Sequence, residues 1–96
     1  MEQQQVVKRI QANQTRLTEL GVASLSLFGS VARGDSTEDS DIDLLVRFDG
    51  HASFDRYMDL KLFLEDLLGR RVDLVTEQAL REEIRAHVEQ DLLRVA

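Results

Sequence analysis

The sequence contains no cysteine and no proline. Without cysteine, neither a disulfide framework nor a thiolate metal site is available. With no proline and only five glycines, the connections between elements must be short. Long apolar runs are also missing, so nothing reads as a membrane span. The first residues, Met-Glu-Gln-Gln-Gln, lack the charged-then-apolar pattern of a signal peptide. The expected location is the cytoplasm.

Positive charge is in deficit. Twelve Lys and Arg face 18 Asp and Glu, for a net charge of −6. A domain of this sign does not attract nucleic acid non-specifically, which argues against a stand-alone DNA or RNA binder. It does not exclude an enzyme that handles a nucleotide, because a bound divalent cation reverses the local field. A chain of 96 residues allows one domain, taken as residues 1–96. Chains this short bury only about 60–65% of their unfolded surface, so an interface with a partner or a second copy is expected.

Apolar residues make up 43% of the chain and charged residues 31%, the balance of a globular protein. No repeat, linker or low-complexity tract interrupts it. Val6, Ile10, Leu17 and Leu20 recur at helical spacing, predicting an amphipathic helix over 2–20 stopped by Gly21. Residues 24–28 alternate and read as a strand. Gly29 and Ser30 end it, and Val31 to Arg33 form a short helix closed by Gly34.

After a polar loop over 35–40, residues 41–48 read as a second strand. Residues 53–68 are a helix with Ser53 as N-cap and Gly69 at its C-terminal end. Residues 71–76 form a third strand. Glu77 to Val95 read as largely helical, with Leu80, Ile84, Val88, Leu92 and Val95 on one stripe. The order is α-β-α-β-α-β-α, a small α/β domain with three strands covered by helices.

Asp41 and Asp43 lie two residues apart on a strand, so their carboxylates share a face while Ile42, Leu44 and Val46 point to the core. Two adjacent carboxylates repel unless a cation sits between them. Mg²⁺ fits, since it takes oxygen ligands and is usually held by one or two carboxylates plus substrate phosphates. Alone, Asp-x-Asp is most often a solvated strand end.

The surroundings add to it. Gly29-Ser30 stands at the start of a short helix, where free N–H groups and the positive dipole end suit phosphate. Arg33 either contacts a triphosphate or braces the acidic loop through Asp35 or Asp39. Asp73, flanked by Val72 and Leu74, either pairs with Arg70 or Arg71 or joins Asp41 and Asp43 at one metal site. His51 and His87 read as solvated, as do Asp35, Glu38 and Asp39. Tyr57 and Phe63 read as core or interface residues, with base stacking by Tyr57 as the alternative.

Phe28-Gly-Ser-Val-Ala-Arg-Gly34 followed by Ser40-Asp-Ile-Asp-Leu-Leu-Val46 resembles the signature of the DNA polymerase beta-like nucleotidyltransferases. It is most similar to the minimal nucleotidyltransferases of bacteria and archaea, and Val72-Asp-Leu-Val75 matches their third acidic position. The resemblance covers nearly the whole chain. It implies a three-stranded mixed sheet with helices packed against it. It implies that Gly29 and Ser30 hold the triphosphate of ATP, that Asp41 and Asp43 bind Mg²⁺ (two ions), and that Asp73 completes the site and deprotonates the acceptor.

Larger relatives in that superfamily add a helical domain that holds base and acceptor, and these 96 residues contain none. The resemblance therefore implies a partner, a helical HEPN-type toxin that receives AMP from the antitoxin. A second reading, a binding module that blocks its partner by occlusion, does not need three converging carboxylates.

Overall fold

The computed structural model describes residues 2–37, 39–80 and 82–96, with the side chains of residues 78, 82–84 and 87 outside that description. The expectations placed on Glu38, on His87 and on the Ile84 side chain fall outside it as well.

The segment expected as one helix over 2–20 is two helices, α1 (Gln3–Gln11) and α2 (Gln14–Glu19). Asn13 makes the break. Its side-chain amide donates to the Arg9 carbonyl at 2.8 Å, the acceptor its own N–H would use in a continuous helix. That N–H turns instead to Ile10, one residue nearer, at 3.0 Å. Asparagine commonly competes with the helical ladder in this way.

The chain continues through β1 (Val22–Phe28), α3 (Gly29–Arg33), β2 (Ile42–Phe48), α4 (Phe54–Leu68) and β3 (Val72–Thr76). A single 3-10 turn at Glu77–Ala79 leads to α5 (Glu82–Asp91) and β4 (Leu93–Arg94). Helix α4 starts and stops where its capping residues dictate. Ser53 Oγ accepts the Arg56 N–H at 3.1 Å, and Gly69 takes the left-handed conformation at φ +65° that ends the helix.

The sheet has the order β3-β2-β1-β4. Strands β2 and β3 run parallel, while β1 is antiparallel to both β2 and β4. The sheet is mixed, as expected, but it has four strands rather than three. The fourth corrects the reading of 77–95 as largely helical. The Val95 N–H donates to the Leu25 carbonyl at 2.9 Å, and the Leu25 N–H to the Ala96 carbonyl at 3.1 Å. Closing the edge of β1 in this way satisfies backbone groups that a longer helix would have left open.

Burial alternates along the strands. Ile42, Leu44 and Val46 of β2 are fully buried, as are Leu25 and Leu27 of β1. They pack with Val6 and Ile10 of α1, Leu17 of α2, and Leu60, Leu64 and Leu68 of α4. Each such side chain contributes about 1.5–3 kcal/mol on leaving water. The period of two turns Asp43 and Asp73 away from this core, toward the face left free for chemistry. Among the described residues, no helix is long and apolar enough to cross a membrane.

Candidate functional site

The site gathers where β1 ends, β2 begins and β3 begins. In the sheet register, Phe28 pairs with Asp43, and Asp43 pairs with Asp73. Gly29, the next residue after Phe28, therefore lies beside Asp43. Its backbone is left-handed, at φ +71°. A Cβ added there would collide with the Asp43 carboxylate oxygen and stand 3.0 Å from its Cγ. Only glycine meets both demands, a positive φ and a carboxylate against the backbone. Gly29 also opens the five-residue helix α3, so Ser30 and the first N–H groups of that helix stand next to an acidic cluster.

Asp43 is half-buried, and burial is the main reason its carboxyl is pushed up to about 6. The charges of Asp73 and then Asp41 add to the shift, as does a hydrogen bond with Asp73, while the positive charge of Arg33 opposes it. Taking a carboxylate out of water and facing it with others both disfavour its charged form.

Asp41 precedes β2 rather than lying on it, and it is exposed. Its Oδ1 is 3.5 Å from Nε of Arg71, whose backbone carbonyl accepts the Ile42 N–H at 2.9 Å. Of the two arginines set against Asp73 in the sequence, Arg71 thus pairs with Asp41. The other, Arg70, bonds with its Nη2 to the backbone carbonyls of Ser40 and, at 3.3 Å, Thr37. It ties the start of β3 to the loop that delivers Asp41.

Arg33 forms ion pairs with Asp35 at 3.2 Å and with Asp91 of α5 at 3.0 Å. Of its two expected roles, this is the bracing one. It joins the loop after α3 to the C-terminal part of the chain, and these two partners push its pKa upward.

The structure thus brings Asp43, Asp73 and Gly29 together with Ser30 alongside, leaves Asp41 on Arg71, and turns Arg33 to Asp35 and Asp91. Among the described residues, no three carboxylates or imidazoles are gathered as a finished metal site. The donors still suit a hard divalent cation. All are carboxylate oxygens, and the Asp43–Asp73 pair carries a repulsion that such a cation relieves. Asp41 can join them by releasing an exposed, weak ion pair.

Other side chains take bland roles. His51 is exposed. Phe63 is partly buried under the Arg16 guanidinium, 5.9 Å from the ring centroid. Tyr57 is half-buried and its hydroxyl donates to the Leu74 carbonyl at 2.5 Å. The sequence reading missed the Arg70 clamp, the Arg71–Asp41 pair and the bonds that α4 makes to β3. The available signal was the pair of arginines just before an acid-bearing strand.

Comparison with known proteins gives a consistent picture. The family described as nucleotidyltransferase domain matches residues 7–95. The chain is 41% identical over 75 residues to the protein adenylyltransferase MntA of Thermococcus cleftensis, covering 78% of this chain and 76% of that protein. It is 44% identical over 77 residues to a candidate protein adenylyltransferase of Methanocaldococcus jannaschii, covering 77% of each. A solved structure of a candidate minimal nucleotidyltransferase matches with a TM-score of 0.84 at 39% identity, over 97% of this chain and 95% of that one. A more distant likeness bears on the fold alone. It is to a chain in the complex of a tri-AMPylated HEPN toxin with an MNT antitoxin from Shewanella oneidensis, with a TM-score of 0.61 at 20% identity, over 91% of this chain and 71% of that one.

Proposed function

The chain belongs to the nucleotidyltransferase domain family, and on that premise we propose that it is a protein adenylyltransferase that moves AMP from ATP onto a hydroxyl of a HEPN-type toxin and so acts as its antitoxin. The observation that carries the reading is the packing of Asp43 against Gly29, with Asp73 directly across the ladder. It sets two carboxylates beside backbone that can approach a triphosphate closely. The relatives, a protein adenylyltransferase of Thermococcus cleftensis and a candidate one of Methanocaldococcus jannaschii, support the choice of AMP and of a protein acceptor.

In this reading Gly29 and Ser30 hold the triphosphate through backbone N–H groups and the Ser30 hydroxyl. Arg33, braced by Asp35 and Asp91, adds positive charge close enough for Asp43 to sense. Asp41, Asp43 and Asp73 would hold Mg²⁺, as two ions. When bound, the ions would neutralise phosphate charge and stabilise the attacking and leaving oxygens. Asp73 accepts the proton of the acceptor hydroxyl as its oxygen attacks the α-phosphorus in line. The bond to the bridging oxygen breaks and pyrophosphate leaves. The protein's main contribution is position and charge.

The candidate docking faces are the exposed side of α4 and the segment that follows β3. Phe54 and Leu62 of α4 are 75% and 57% exposed and suit a partner. Leu92 is partly exposed and Val88 half-buried, but Val95 is only 3% exposed and belongs to the core. An acidic surface fits a basic partner, as expected of a protein that cuts RNA.

Co-expression with the product of the neighbouring gene, followed by pull-down and intact-mass measurement, tests the proposal. The expected result is a co-purifying partner carrying one or more added AMP units. Co-purification of an unmodified, inhibited partner would favour the occlusion reading instead.

A further inference from the structure

We infer that Tyr57 and Glu65 of α4 are positioning residues, holding edge strand β3 so that Asp73 stays opposite Asp43. The inference rests on the reading of Asp73 as the group that takes the acceptor's proton. It starts from the exposed position of β3. This strand is the last in the sheet, with β2 on one side and, among the described residues, no strand on the other. It carries Asp73, whereas Asp43 lies on a strand with neighbours on both sides.

The phase of the ladder is fixed by the Ile42 N–H, which donates to the Arg71 carbonyl at 2.9 Å. In a parallel pair, successive residues turn their backbone groups alternately toward the neighbour and away from it. The groups of Arg71, Asp73 and Val75 therefore face β2, and those of Val72 and Leu74 face outward. Two side chains of α4 meet those outward groups. The Val72 N–H donates to Glu65 Oε2 at 3.1 Å, and the Tyr57 hydroxyl donates to the Leu74 carbonyl at 2.5 Å. One bond lies immediately before Asp73 and the other immediately after it.

The repulsion these bonds oppose comes from the site itself. Asp43 and Asp73 are paired in register, two acids side by side across the ladder. Like charges directly opposite across a ladder push the strands apart. An edge strand has no further strand to resist that push. Burial of Val72 and Leu74 fixes which face of β3 meets the core, but hydrophobic contact is non-directional and does not fix how closely the strand approaches β2. The two bonds from α4 are directional.

Tyr57, Lys61 and Glu65 stand on successive turns of α4, and Lys61 Nζ lies 3.6 Å from Glu65 Oε2. The lysine steadies the carboxylate that accepts the Val72 N–H. A small displacement of a reacting group by a distant substitution is costly, up to about a hundredfold in rate for 1 Å. The same bonds occupy edge groups that would otherwise be open to pairing with another chain.

The test compares Glu65→Ala, Tyr57→Phe and Glu65→Gln with the unaltered protein, in two measurements. The first is amide hydrogen exchange. Glu65→Ala and Tyr57→Phe are expected to speed exchange at Asp73 and Leu44, on the β2–β3 ladder, by about tenfold or more, with amides of β1 unchanged. The second is AMP transfer, where both variants are expected to lower kcat by about tenfold or more and leave KM for ATP within about twofold. Glu65→Gln keeps an acceptor for the Val72 N–H and is expected to restore both.

Unchanged exchange at Asp73, or a uniform rise across all strands, would overturn the inference. So would faster exchange without a fall in kcat, or a Glu65→Gln variant as impaired as Glu65→Ala. If the unaltered protein transfers no AMP to any acceptor, the proposed function fails by itself. The exchange measurement then still decides whether Tyr57 and Glu65 hold Asp73 in place.

Discussion

Asp43 and Asp73 face each other as register partners across the parallel β2–β3 ladder, and the Asp43 carboxylate lies against the backbone of Gly29. Three distant parts of the sequence meet there. Each is brought by an ordinary rule of strand or turn geometry, and the result is a concentration of negative charge that the fold alone does not balance.

The first prediction follows from that imbalance. The Asp43 carboxyl is raised to about 6 in the folded chain, against about 3.9 for an ordinary aspartate. The folded state therefore binds more protons than the unfolded state between those values, and stability falls as pH rises through that window. Above about 6 the penalty is complete, of order 1 kcal/mol once solvent screening is discounted. Asp43→Asn should match or exceed the unaltered protein in Tm at pH 7.5, and lose that advantage near pH 4. Thermal melts at the two pH values check this, and a variant less stable at pH 7.5 would make Asp43 a structural residue.

Gly29→Ala tests the close approach. The substitution forces a side chain into a left-handed backbone and against the Asp43 carboxylate. A loss of about 2 kcal/mol in urea unfolding is expected, together with loss of transfer. Ser30→Ala should be milder, weakening ATP binding by about 1 kcal/mol for one lost hydrogen bond. Calorimetric titration with ATP separates the two.

Arg33 gives a third expectation. Its pairs with Asp35 and Asp91 are open to solvent, so each is a weak contribution to stability. A double-mutant cycle between Arg33→Ala and Asp91→Ala should return a small but favourable coupling. A loss of ATP affinity in Arg33→Ala, with Asp91→Ala neutral, would put the guanidinium on the triphosphate rather than on its brace.

The C-terminal segment supplies a fourth. Val95 is 3% exposed, and its backbone joins that of Leu25. Val95→Ala should cost about 2 kcal/mol of stability and leave partner affinity unchanged. Leu62→Asp, on the exposed side of α4, should do the reverse. Chemical denaturation and a pull-down measure the two effects.

The legible part of this protein was the local part. The alternation of Asp43 with the buried Ile42 and Leu44, the capping residues Ser53 and Gly69, and the Gly29-Ser30 turn each act over a few residues, and the sequence displays them directly. The illegible part depends on contacts between distant segments. Asn13 reads as a tolerable helix residue until its amide is seen to take the Arg9 carbonyl. Val95 fits a helical stripe, yet it completes the sheet, because β1 lacked a second neighbour. The Arg71–Asp41 pair could not be told from an Arg71–Asp73 pair, since it forms only once β3 is laid beside the start of β2.

The most direct test of the account uses ATP labelled at either the α- or the γ-phosphorus, with Mg²⁺ and the purified partner. Nucleotidyl transfer predicts that the α-label enters the partner, that the γ-label leaves with pyrophosphate, and that Asp43→Asn abolishes the labelling. Entry of the γ-label, or undiminished α-labelling by the Asp43→Asn variant, would contradict the central claim that Asp43 and its neighbours carry AMP transfer.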